Sequence, residues 1–132
     1  MTEKTIRTVL LIDDDEDDNF YNRIIIEKAG VAERIEVFQY AEEALIYLKQ
    51  CDVSDVDLIF LDINMPRMNG FQFMEKYSEL EKCCQAKIII VMLTTSLNPS
   101  DEDRCKAFKD IGEFRTKPLT EEMLQEVVRA YF

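Results

Sequence analysis

Short apolar, β-branched runs alternate along the chain with stretches whose apolar positions recur at helical spacing. The runs at residues 8–12, 34–38, 58–61, 87–93 and 113–115 predict strands. Those at 58–61 and 87–93 are almost unbroken hydrophobic runs, the pattern of strands covered on both faces in a parallel sheet. Between them, Phe20 with Ile24, and Tyr21 with Ile25 and Ala29, form adjacent apolar rows stopped by Gly30. Ala41, Ala44, Leu45 and Leu48 make a second stripe, and a third helix is expected over about 70–80 with Phe71, Phe73, Met74 and Tyr77 inward. Asn98 as N-cap, Pro99 at the first helical position and Asp101 in the first turn open a fourth. The last carries Met123, Leu124, Val127, Val128 and Tyr131. Five βα units in series predict an α/β fold, a doubly wound five-stranded parallel sheet, with no repeat or linker to divide it. The 132 residues suit one domain.

In such sheets ligands bind outside the carboxyl ends of the strands. The residues there are unusually polar: Asp13, Asp14 and Asp15 after the first predicted strand, Asp62 after the third, Thr94, Thr95 and Ser96 after the fourth, and Lys117 before Pro118 after the fifth. Four separate segments deliver acids, hydroxyls and one amine to the same end of one sheet.

Charge and composition narrow what that end can do. With 27 acidic against 16 basic residues the net charge is −11, and without a Lys/Arg run to override it the chain repels nucleic acid and anionic lipid. The longest apolar run, 88–93, is six residues against about 20 for a membrane span, and the N-terminus lacks a signal-peptide core, so a cytoplasmic protein is expected. Cys51, Cys83, Cys84 and Cys105 have no Cys-x-x-Cys spacing, and the absence of His removes zinc–histidine sites and every His-dependent acid, base or phosphocarrier role.

Three clustered carboxylates repel one another unless a hard cation favours their ionised forms. Oxygen donors alone suit Mg²⁺ or Ca²⁺, and a few carboxylates completed by water and phosphate are the usual Mg²⁺ pattern. An acidic run at a helix N-terminus can equally be a solvated first turn complementing the dipole, the reading preferred for Glu16, Asp17 and Asp18. An EF-hand reading of Asp13, Asp15 and Asp17 fails, because Asp18 stands where Gly is needed and Ile24 where Glu is needed. Asp62 ends an apolar strand. There it can cap the following turn, or act as a nucleophile that takes a phosphoryl group if a metal and a fixed cation neutralise the transferring oxygens. Lys117 is suited to be that cation and Thr94 to be a hydroxyl donor, with Thr95 competing for the role.

The segments Leu10-Leu11-Ile12-Asp13-Asp14-Asp15, Leu61-Asp62-Ile63-Asn64-Met65-Pro66 with Gly70, Met92-Leu93-Thr94-Thr95-Ser96 and Lys117-Pro118-Leu119 together resemble the response-regulator receiver domain of two-component phosphorelays. The likeness is to the stand-alone type, similar to the chemotaxis regulator, and covers about 120 residues. It implies a flavodoxin-like fold, one receiver over 1–132 with its core at about 6–132, and no output domain. Asp62 matches the phosphoacceptor, Asp13 and Asp14 the metal-binding pair, and Asn64 the residue whose backbone carbonyl also reaches Mg²⁺. Lys117 matches the phosphate-binding lysine, Thr94 the switch hydroxyl and Phe114 the switch aromatic, which reads otherwise as a core residue. Asn64 and Ser96 would flank the attacking water.

The resemblance implies a signalling receiver and not an enzyme, with a sensor histidine kinase or histidine phosphotransfer protein as donor and an unidentified downstream protein as reader. Two departures stand out. The Thr94-to-Lys117 spacing is one residue long, placing an extra residue at 109–112, and the family's glycine after the fourth helix is displaced to Gly112. The alternatives are a haloacid-dehalogenase-type phosphohydrolase, disfavoured because Asn64 sits where that chemistry wants a second acid, and a degenerate receiver that only binds.

Overall fold

The computed structural model describes residues 5–50, 56–80, 88–95 and 98–132. Among these, β1 (Ile6–Ile12), β2 (Ala32–Phe38), β3 (Val56–Leu61), β4 (Ile89–Thr94) and β5 (Ile111–Thr116) form one parallel sheet in the order β2-β1-β3-β4-β5. Among the described residues five helices alternate with them: α1 (Glu16–Ala29), α2 (Ala41–Leu48), α3 (Gly70–Tyr77), α4 (Pro99–Lys106) and α5 (Glu121–Tyr131). Every strand anticipated from the hydrophobic runs is present, four of them beginning two residues earlier and β4 ending on Thr94. Lys87 lies outside the described residues, as do Cys51, Cys83, Cys84 and Ser96.

Side-chain alternation divides the core in two. Leu10, Ile12, Ile59, Leu61, Ile90 and Met92 pack with α2, α3 and Cys105 of α4, while Val9, Leu11, Leu58, Phe60, Val91 and Leu93 pack with Ile26 of α1 and Leu124 and Val127 of α5. All of these strand side chains are buried, the cause of the unbroken hydrophobic runs. The stripes expected on α2 and α3 are fully inward, and Asn98 caps α4 by accepting from the Ser100 N–H.

Helix α1 corrects the sequence reading. Phe20 and Tyr21 are 68% and 44% exposed, and the buried residues are Asn19, Asn22 and Ile26. Polar anchoring sets this phase: the Asp15 carboxylate accepts from the N–H groups of Asp17 and Asp18, and the Asn19 amide donates to the Asp13 carbonyl at 2.7 Å. Gly30 ends the helix in the left-handed region (φ 66°), as a C-terminal cap does.

The extra residue of the last βα unit is a bulge and not a loop insertion. Ile90 pairs with Ile111, but Val91 pairs with Glu113, leaving Gly112 unopposed within β5. Beyond it the register runs Met92–Phe114 to Thr94–Thr116, which puts Thr94, and not Thr95, level with the strand end that precedes Lys117. A second shift lies between Thr8–Val56 and Val9–Leu58, where Asp57 is bypassed.

Candidate functional site

The chain runs from β1 outward to β2, then crosses back to β3, β4 and β5, so the order reverses between β1 and β3. That switch point is where an open α/β sheet leaves a crevice at its carboxyl edge. Ile12 and Leu61 are the last register pair of these two strands, and Asp13 and Asp62 are the next residues of each. Ladder hydrogen bonds continue past the strands and fix both: Asp13 N–H donates to the Phe38 carbonyl and Asp62 N–H to the Ile12 carbonyl, each at 3.0 Å. On the other side of Asp62, Lys117 N–H donates to the Thr94 carbonyl at 2.8 Å. A turn at 63–69 then brings Gly70 against the backbone of Asp62, where a Cβ would stand 2.5 Å from the Asp62 carbonyl oxygen. Only glycine fits that approach without moving the acid.

Asp13, Asp14 and Asp62 each offer a carboxylate oxygen to a cluster spanning no more than 4.8 Å; Asp13 and Asp62 are buried and Asp14 is exposed. The Lys117 ammonium lies 2.5 Å from Asp13 Oδ2, 2.7 Å from Asp18 Oδ2 and 3.7 Å from Asp62 Oδ1. The other Asp13 oxygen accepts from the Asp15 N–H at 3.0 Å. One cation thus serves three acids, with a fourth beside it.

Burial is the main cause that pushes the Asp62 carboxyl up to about 7, reinforced by the charge of Asp13 and only partly offset by Lys117. Burial also raises Asp13 above the usual carboxylate range despite its hydrogen bond from Lys117. For Lys117, burial acts against the charged form, but the hydrogen bonds to Asp13 and Asp18 outweigh it and raise the ammonium above the ordinary lysine value. The site holds more negative charge than its own cation neutralises. An oxygen-only donor set with that deficit fits a hard divalent cation.

Thr94 is completely buried at the end of β4, whereas Thr95 is exposed. By alternation Thr94 shares the face of Met92, and Phe114, the register partner of Met92, is half-buried against the same core. Asn64 is exposed in the turn after Asp62. Sequence reasoning missed Asp18, which it assigned to a solvated first turn; its carboxylate instead binds Lys117. The available signal was the i, i+4 row Asp18, Asn22, Ile26, which is the row facing the sheet.

The fold and this acid cluster define a receiver-type α/β domain, and the comparisons with known proteins name the family. Residues 9–129 match the response regulator receiver domain, and the chain belongs to that family. It is 33% identical over 132 residues to hybrid signal transduction histidine kinase L of Dictyostelium discoideum, covering 97% of this chain but 7% of the kinase. The chain therefore spans under a tenth of the length of the first curated relatives it matches. Among solved structures it is similar to a two-component response regulator from Cytophaga hutchinsonii, with TM-score 0.87, 30% identity and 98% of each chain covered. It is also similar to the chemotaxis response regulator CheY4 of Vibrio cholerae, with TM-score 0.77, 26% identity, and 97% of this chain and all of that one covered. The fold is flavodoxin-like, and the chain is a signalling receiver of the two-component type. No helix among the described residues is long and apolar enough to cross a membrane.

Proposed function

We propose that Asp62 is the phosphoacceptor of this receiver, taking the phosphoryl group of a phosphohistidine on a sensor histidine kinase or histidine phosphotransfer protein. The observation that carries this reading is the placement of a buried, charge-rich carboxylate at the sheet's switch point, flanked by Asp13 and Asp14 and within 3.7 Å of the Lys117 ammonium. An Asp62 carboxylate oxygen forms the bond to phosphorus as the bond to the donor imidazole nitrogen breaks, and the imidazole leaves with its electron pair. Lys117 balances the charge that gathers on the phosphoryl oxygens, and the Thr94 hydroxyl donates to one of them. Asp13, Asp14, Asp62 and the Asn64 backbone carbonyl would hold Mg²⁺, which supplies charge neutralisation and orientation for in-line transfer.

Phosphorylation adds negative charge and three acceptor oxygens at Asp62. Drawing Thr94 toward them leaves room for Phe114 on the same sheet face to turn inward, biasing a two-state surface around α4, β5 and α5 that a cytoplasmic protein partner reads. The chemistry is confined to the domain's own phosphorylation and dephosphorylation, since Asn64 cannot act as the acid of a phosphohydrolase.

The test is incubation with Mg²⁺ and acetyl phosphate, read by intact mass. One added phosphoryl group, lost in Asp62→Asn and in chelator, is the expected result. An unmodified mass with the fold intact, or a gain that survives Asp62→Asn, overturns the assignment.

A further inference from the structure

We propose that Asp18 is a positioning residue which competes with the incoming phosphoryl group for Lys117, holding the ammonium back from Asp62 until phosphate displaces it. The inference rests on Asp62 being the acceptor. An ammonium has three N–H donors. Two point at acids within hydrogen-bond distance, Asp13 at 2.5 Å and Asp18 at 2.7 Å, while Asp62 at 3.7 Å is beyond it. The resting partner of the lysine is thus the pair on the β1–α1 segment and not the acceptor. Asp18 is held there by local structure: it lies in the first turn of α1, its own N–H bound by the Asp15 carboxylate, and the Asp15 N–H is bound in turn by Asp13.

A phosphoryl group on Asp62 presents more charge and more oxygens than either neighbour, so Lys117 has to exchange a partner to reach it. The two partners are unequal. With Mg²⁺ in place the Asp13 side chain, 6% exposed, would keep a cation without the lysine, which leaves Asp18 as the acid that still holds the ammonium back from Asp62; its side chain is 39% exposed and can pass its charge to water. Asp18 is therefore the ligand that gives way. No covalent bond is made in this exchange, only one hydrogen-bonded ion pair traded for another. The consequence is kinetic: breaking the Asp18 contact is part of the barrier to loading Asp62, and the Asp18 charge adds to the repulsion that an anionic donor meets.

The rate of phosphorylation by acetyl phosphate in saturating Mg²⁺ tests this. Asp18→Asn is expected to load about two- to fivefold faster than the parent, the range set by losing one half-exposed ion pair from the ground state. Asp17→Asn is the matched control, with the same charge removed from the same helical turn at an exposed position, and it should raise the rate far less, because it relieves only the repulsion and leaves the Lys117 contact in place. Beryllofluoride, a phosphoryl mimic, should bind Asp18→Asn more tightly in the same proportion. A rate for Asp18→Asn equal to or below the parent's, or an equal gain in Asp17→Asn, overturns the proposal. A parent that takes no phosphoryl group sinks the acceptor reading itself, and this inference with it.

Discussion

Strand β3 carries one aspartate near its start and another just past its end, and the two have been treated in opposite ways. Asp57 meets Arg7, whose backbone N–H, Nε and Nη2 donate to its two oxygens at 2.8, 3.2 and 2.7 Å. Burial alone would raise Asp57, but the arginine's hydrogen bonds outweigh it and hold the carboxyl below its ordinary value. Asp62 shares a single lysine with Asp13 and Asp18, at the longest of the three distances, and its carboxyl is pushed up to about 7. The residue type and the strand are common to both, but Asp62 is buried and Asp57 only half-buried. They differ also in the ratio of cations to acids: one to one at the amino end, where the fork of an arginine satisfies a single carboxylate, and one to several at the carboxyl end. A satisfied pair is finished structure, whereas an unsatisfied cluster has affinity left over for what it has yet to bind.

The sharpest way to break the comparison is to neutralise Asp62 and ask what happens to stability. A carboxyl whose folded pKa is raised binds its proton more tightly in the folded state. Its favourable contribution is complete below the unfolded value near 4 and is lost as pH rises through about 7. In chelator at pH 8, Asp62→Asn is therefore expected to unfold at higher denaturant than the parent, by on the order of 2 kcal/mol, and the gap should close as pH falls toward 4. A variant less stable than the parent at pH 8 would show that Asp62 is held as comfortably as Asp57.

Magnesium gives a smaller effect with the same logic. If Asp62 completes the cation site with Asp13 and Asp14, Mg²⁺ at ten times its dissociation constant should stabilise the parent by about 1.4 kcal/mol at pH 7.5, and Asp62→Asn by much less. Thermal denaturation with and without the ion measures both. Equal stabilisation of the two proteins would take Asp62 out of the metal-binding set.

The two ends of β3 also differ in how far the sequence announces them. The strands and the α2 and α3 faces were readable because burial on both sides of a sheet, or along one helix face, demands unbroken or periodic apolar residues. Asp62 was conspicuous as an acid that ends such a run. Helix α1 misled because its inward row, half-buried Asp18 followed by buried Asn22 and Ile26, is polar at the site end, while Phe20 and Tyr21 face outward. Hydrophobic period cannot see a helix phased by capping and amide hydrogen bonds. The Asp18–Lys117 pair joins residues 99 positions apart, which no local pattern encodes. Counting back from Lys117 left Thr94 and Thr95 in competition; the Gly112 bulge absorbs one residue inside β5 and sets Thr94 opposite Thr116, the residue before Lys117. Arg7 and Asp57 drew no notice at all, since a lone charge near either strand's start reads as surface.

That unnoticed pair gives the smallest predicted effect and the opposite sign. Arg7 is more than half exposed, so water screens the ion pair, although Asp57 also accepts the Arg7 backbone N–H where the β1–β3 register shifts. Asp57→Asn should cost about 0.5–1 kcal/mol at pH 7, measured by denaturant unfolding. Because the folded carboxyl is lowered, its contribution is present above the unfolded value near 4 and is lost as pH falls through the folded value below it. The cost of Asp57→Asn should therefore shrink on acidification below pH 4, in the pH range where the stability difference produced by Asp62→Asn has already closed. Parallel pH profiles for the two substitutions would mean that the ratio of cations to acids is not what separates the ends of β3.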